Sequence, residues 1–421
     1  MPISMPTEAT RRVWTVRPLI PALGCAACLL GAGLSLAIDA ADHQALTPVR
    51  FDKLLVSDRF FCEGATCADV DNDGQPDFIA GPFWFSGPGF DRPHRYRAGE
   101  PYEPKGYSDN FFTFAHDFNA DGWVDVLVVP APGEDASWFE NPKGEDRLWR
   151  QRLAFAAVDN ESPALVDVTG DGAPELICIA GGRFGYAAPP ERPTDEAWPF
   201  HAVSPDLGYT RYTHGLGAGD VNGDGRADLL EKNGWWEQPA GAAAEALWRF
   251  HPVAFSEAGG AQMFAVDLDG DGDNDVVTSK NAHAYGLAWF ENHREGDEHT
   301  FHEHPIIPER PAADPAELSV SQLHALGVAD INGDGVPDLV TGKRYWAHSG
   351  RDPGADEPAV LMWLETVRDA SGVRFTPHLI DKNSGVGTQV EVKDINSDGL
   401  FDVIVGNKKG LFVFRQAAPT P

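Results

Sequence analysis

One nine-residue pattern recurs seven times along this 421-residue chain and limits its possible folds more than any other feature. Positions 1, 3, 5 and 9 carry oxygen-bearing side chains, and position 6 is always Gly. The copies supply Asp69, Asp71, Asp73 and Asp77; Asp117, Asn119, Asp121 and Asp125; Asp167, Thr169, Asp171 and Glu175; Asp220, Asn222, Asp224 and Asp228; Asp267, Asp269, Asp271 and Asp275; Asp330, Asn332, Asp334 and Asp338; and Asp394, Asn396, Asp398 and Asp402. Successive copies begin 48, 50, 53, 47, 63 and 64 residues apart. A single copy would pass for an Asp-Gly turn. Seven at this spacing mark a repeat architecture, in which each unit buries its apolar faces against its neighbours.

The residue types follow the needs of a hard cation. Calcium takes about six to eight oxygen ligands, and alternate positions of a tight turn point inward together. Gly at position 6 permits the reversal, and the carboxylate at position 9 closes the cage. Calcium is therefore the expected cofactor of each loop. The fifth loop, with Asp at positions 1, 3, 5, 7 and 9, should bind most strongly. The third, with Thr169 and Glu175, should bind most weakly.

The flanks rule out paired helices around each loop. A short alternating run such as Gly215–Gly219 precedes it, and an apolar run such as Asp275–Thr278 follows. A third segment is aromatic, as in Trp138-Phe-Glu-Asn-Pro142, Trp235-Trp-Glu-Gln-Pro239 and Trp289-Phe-Glu-Asn292. A fourth resembles Trp248–Phe255 or Phe301–Ile306. Four short antiparallel strands per repeat predict an all-β, seven-bladed propeller over residues 42–421. Its last blade lacks a fourth strand, which the N-terminal segment Phe51–Val56 should supply, removing an open edge. The loop pattern resembles the FG-GAP/VCBS repeat family of integrin α-subunit propellers and many secreted bacterial proteins. That resemblance implies fold and calcium, and leaves function open among adhesion, carbohydrate recognition and catalysis.

The formal charge of −31 argues against nucleic acid as a partner. Of 64 acidic residues, 24 lie in the seven loops, so seven Ca²⁺ would bring −31 to −17. Residues 1–41 read as a signal peptide, with Arg11, Arg12 and Arg17 before an apolar stretch from Leu19 to Ile38 and small residues at Ala37, Ala40 and Ala41. The Arg pair leaves a twin-arginine signal open, and the length of the apolar stretch leaves a retained anchor open. A secreted or periplasmic monomer with no membrane span after cleavage is expected. Cys62, Cys67 and Cys178 are an odd set that reads as small core residues, the first two on opposite faces of one strand.

The loops sit at one end of each blade, so the start of the first strand and the end of the second lie at the other end. Six residues before each leading Asp stand Glu63, Phe111, Glu161, His214, Ala261, His324 and Thr388. These should ring the mouth of a central channel and border solvent there. Glu63, Glu161, His214 and His324 could bind a transition metal, since imidazole and carboxylate together suit Zn, Mn or Fe. Five of the ten lysines, Lys232, Lys280, Lys343, Lys408 and Lys409, closely follow second strands. Asn233, Asn281 and Arg344 accompany them, and His283, His348 and Arg351 lie on adjoining loops. This set suits an anionic or polyhydroxyl ligand.

Two functions stay open. One is recognition of a glycan or protein by this face. The other is a sugar lyase or isomerase with His214 or His324 as base or metal ligand, Lys343 stabilising an enolate, and His348 a further candidate. The expected propeller resembles one carried by some sugar dehydratases of the aldos-2-ulose type, and by analogy that resemblance implies the second function.

Overall fold

The computed structural model describes residues 49–192, 194–241, 247–314 and 317–418. The expected signal peptide, residues 1–41, lies outside them. The second strands of the repeats are almost wholly buried: Asp77–Ala80, Asp125–Val129, Glu175–Ala180, Asp228–Glu231, Asp275–Ser279, Asp338–Lys343 and Asp402–Asn407. Their near-continuous apolar runs reflect cover on both faces. The core accordingly lies between successive sheets. Ile79 and Tyr96 pack with Val126, Phe139 and Trp149, while Phe118 and Trp138 pack with Leu176 and Trp198.

The chain is all-β in a β-propeller arrangement. Among the described residues its only helix is a short 3₁₀ turn, Ala347–Gly350. In the first six repeats, four strands hydrogen-bond antiparallel in chain order. The first set is Ala65–Ala68, Asp77–Ala80, Phe83–Phe85 and Pro93–Arg95. Where seven separate blades are expected, five four-stranded sheets stand alone, and the fourth and fifth repeats share one eight-stranded sheet. The junction is a short parallel pairing of Leu216–Gly219 with Gln262–Val266. Glycine explains it, because a Cβ on Gly217 would lie 1.9 Å from the Met263 carbonyl oxygen. Without that atom the two backbones reach hydrogen-bonding distance.

Phe51–Ser57 pairs antiparallel with Gly410–Gln416, so the sheet built from the last repeat contains strands from both ends of the described chain. First strands of most neighbouring repeats abut, and that of the first repeat also lies against that of the last. Gln389 and Gln262 reach past neighbouring repeats. Gln389 accepts from Thr113 N–H and donates to its carbonyl, and Gln262 likewise links Leu326 N–H and the Thr388 carbonyl.

The aromatic third strands are packing elements. Trp84, Trp235, Trp289 and Trp363 each stack on a fourth-strand histidine, with ring centroids 4.0–4.6 Å apart. The amide that ends this strand reaches the preceding repeat. Asn141 donates to the Val70 carbonyl, Gln238 to Val168, Asn292 to Val221 and Gln416 to Ile331. Cys62, Cys67 and Cys178 are buried free thiols. Cys62 precedes the strand that holds Cys67 rather than sharing it, because the chain bends at Glu63 between them. No helix among the described residues is long and apolar enough to cross a membrane.

Candidate functional site

The aspartate loops share one internal geometry. In all seven, the position 6 glycine has φ between 85° and 95°, a left-handed turn that other residues adopt at a cost. Its N–H donates to the position 1 carboxylate at 2.7–3.3 Å. The position 2 N–H donates to the position 9 carboxylate at 2.7–3.1 Å. In six loops the other position 9 oxygen accepts a backbone N–H from within or just after the third strand. The third loop departs: Thr169 Oγ1 donates to Glu175 Oε1 at 2.8 Å, turning the position 3 side chain onto position 9. Burial pushes the position 9 acids up, Asp77 and Asp402 to about 6 and Asp125 to about 8.

These loops fit a hard cation. Carboxylate oxygens of Asp69, Asp71 and Asp77 lie within 4.8 Å of one another, as do those of Asp167, Asp171 and Glu175, and of Asp267, Asp269 and Asp271. The donors are all oxygen, and each carboxylate oxygen that accepts one N–H keeps a further lone pair.

At the other end of the strands, the seven residues expected to border solvent are all buried, from 0% exposure at His324 to 8% at His214. They are not an open rim, because Arg344 enters among them. Its guanidinium packs on the Tyr107 and Phe111 rings. It donates to Glu63 Oε2 at 2.6 Å and Glu161 Oε2 at 3.3 Å, and NH1 lies 2.8 Å from His324 Nε2. His214 Nε2 lies 3.1 Å from Glu161 Oε2 and 3.2 Å from His324 Nε2. Burial alone would raise Glu161, but His214, His324 and Arg344 hold it well below the usual carboxylate range. Burial, reinforced by Arg344, keeps His324 neutral.

Glu63 does not join the two histidines as expected, since Arg344 and Lys408 take its carboxylate. His283 takes that place, its ring meeting His214 and His324 edge-on. Ligand atoms of Glu161, His214, His283 and His324 lie within 4.8 Å of one another. Asn281 accepts the His283 backbone N–H at 2.9 Å and so shapes its turn. Burial, with His214 alongside, lowers His283 to about 4.

An outer layer lies over this base. Asp352 bridges His283 Nδ1 at 3.1 Å and His348 Nδ1 at 2.9 Å, and the two rings stack. His348 and Tyr107 are exposed, and the His348 N–H donates to the Tyr107 hydroxyl. Trp346, His348 and Ser349 all have positive φ, a strained turn that presents the imidazole. Arg351 holds it by donating to the His348 carbonyl. Asp352 and Tyr107 carried no signal in the sequence, since neither sits at a repeating offset.

The lysines are not free cations. Lys343 is buried, donates to Ser321 Oγ and to the Gly354 carbonyl, and is lowered by burial. Lys408 donates to the Trp346 carbonyl, lies over the Tyr107 ring and is pushed down to about 8, chiefly by burial. Lys280 pairs with Glu303. Lys232 and Asn233 bond outside the cluster, to the Glu257 carbonyl and to Tyr209 and Glu231.

A family profile described as FG-GAP-like repeat matches residues 117–178 and 267–341. Similar solved structures include a lectin of Agrocybe aegerita, described for specific recognition of non-reducing terminal N-acetylglucosamine. It is 17% identical with a TM-score of 0.48, over 89% of this chain and 87% of that one. The exotype rhamnogalacturonan lyase YesX is 11% identical with a TM-score of 0.45, over 86% and 72%. The V. cholerae biofilm matrix protein Bap1 is 11% identical with a TM-score of 0.43, over 88% and 92%. No curated protein matches the chain. The two matched regions contain four of the seven aspartate loops, and the chain thus carries FG-GAP-like repeats.

Proposed function

We propose that this is a secreted propeller of seven blades, stabilised by calcium in its aspartate loops, that recognises a glycan at the histidine and arginine cluster opposite them. Seven blades follow if the eight-stranded sheet is counted as two, since each half repeats the four-strand order of the others. The pairing of Phe51–Ser57 with Gly410–Gln416 supports closure of the ring.

One observation carries the recognition reading. His324 Nδ1 and Arg344 Nε are buried there with no hydrogen-bond partner. Each such atom costs about 1–3 kcal/mol, so their gathering beneath an exposed rim points to a working site rather than to packing. Tyr107 and His348 supply the rim, an aromatic face and an imidazole suited to a sugar's apolar face and hydroxyls. The half-buried His283, held by Asp352, favours a second reading as a base acting on the same sugar, in place of the enclosed His324.

The test is a glycan array probed with the calcium-loaded protein. His348→Ala and Tyr107→Ala should lose most of the binding with little change in melting temperature, and Arg226→Ala at the aspartate loops should keep it. Binding that survives both rim variants, or a hit only among proteins, would refute the reading.

A further inference from the structure

We infer that Glu161, His214, His283 and His324 form a site for one divalent first-row transition ion of the zinc class, with Asp352 as the residue that positions His283. The site shares its location with the proposed recognition surface.

The case begins with protons. Glu161 Oε2, His214 Nε2 and His324 Nε2 form a triangle with sides of 3.1, 3.2 and 3.0 Å. His324 Nε2 is also 2.8 Å from Arg344 NH1, which can only donate. If His324 carries its proton on Nε2, that N–H opposes the guanidinium. If it carries the proton on Nδ1, Nε2 accepts from Arg344 but also faces the Glu161 carboxylate, and the buried Nδ1–H has no acceptor. Neither placement satisfies the group. A cation bound to all three atoms removes the conflict at Nε2, because each atom then directs a lone pair at it, and leaves only the Nδ1–H without an acceptor.

The size agrees. Tetrahedral zinc with bonds of about 2.0 Å sets its ligand atoms about 3.3 Å apart, close to the sides of the triangle. His283 supplies the fourth ligand. Its Nδ1–H donates to Asp352 Oδ2 at 3.1 Å, which leaves Nε2 with its lone pair. A carboxylate holding the far nitrogen of a metal-bound imidazole is the usual orienting contact. Three imidazoles and one carboxylate favour a transition ion over calcium. The seven aspartate loops offer mainly oxygen donors, so the two metal classes are separable. The rival occupant is Arg344 itself, whose guanidinium reaches Glu161 and His324 in the metal-free cluster.

The experiment titrates the full-length secreted protein with Zn²⁺, then separately with Co²⁺, in excess Ca²⁺ so that the loops are filled. The expected result is one equivalent per chain, with Co²⁺ showing the intense visible bands of a four-coordinate, nitrogen-rich site. His283→Ala, which removes a half-buried side chain, should weaken binding by about 10-fold or more, and Asp352→Asn by about 10-fold. Each variant is first checked for a wild-type melting transition in calcium. Absence of a stoichiometric site in the wild type would overturn the proposal and leave the guanidinium as the cluster's cation. So would an affinity unchanged in both His283→Ala and Glu161→Gln. Zinc binding without any glycan hit would sink the recognition reading and leave the metal site standing.

Discussion

Under the proposed calcium binding, the metal and the turn geometry should make separate contributions to each loop, and the fifth loop allows them to be measured apart. Asp275 is fully buried, and its two oxygens accept the N–H groups of Leu268 and Asn292, both at 2.9 Å. Asp275→Ala strands both donors in the interior at about 1–3 kcal/mol each, or about 2–6 kcal/mol together, whether or not metal is present. Asp271 is exposed and accepts one N–H, from Asp273 at 2.8 Å. Water replaces that bond, so Asp271→Ala should cost less than about 1 kcal/mol in chelator. In free calcium about 100-fold above Kd, the same variant forfeits about 2.7 kcal/mol of linkage. Urea unfolding of wild type and both variants, in excess EDTA and in calcium, reads these terms. An Asp271→Ala cost that is equal in both conditions would refute calcium binding by this loop. An Asp275→Ala protein within about 0.5 kcal/mol of wild type in EDTA would refute the clamp.

Three further outcomes are expected. Asp171→Ala should lose less calcium-dependent stability than Asp271→Ala, because Thr169 bonds Glu175 instead of facing the loop centre, and calcium titrations of the two variants check the order. His324→Ala should lower the melting temperature by several degrees, since the ring is fully buried, whereas the exposed His348→Ala should leave it nearly unchanged. In chelator, melting should be higher at pH 5 than at pH 8. Asp125 is raised to about 8 and Asp228, Asp275 and Asp338 to about 7, against about 3.9 when unfolded, so the folded chain holds more protons and loses stability as pH rises through that window. A melting temperature that climbs from pH 5 to pH 8 in EDTA would contradict this.

The sequence made local chemistry legible. The loops could be read because their geometry is set within nine residues, down to the left-handed glycine at position 6. The strand order could be read from the loop spacing and the aromatic runs. A further signal stood in the aromatic runs. The Asn or Gln that closes the third strand also donates to the loop of the preceding repeat, as Asn141 and Asn292 do. The site was half legible. Glu161, His214 and His324 share an offset from their loops, so their meeting follows from symmetry. His283 and Asp352 come from irregular connections with no shared offset. Burial could not be read either. It depends on how closely the first strands approach and on Arg344 filling the space between them, and neither is fixed by spacing along the chain.

The division between a metal-stabilised end and a working end is tested most directly by amide hydrogen exchange, with the protein held in saturating calcium and compared with and without the glycan that binds best on the array. Protection should appear in residues 344–352 and around Tyr107, with the seven aspartate loops unchanged. Protection confined to the aspartate loops, with residues 344–352 unaffected, would contradict it.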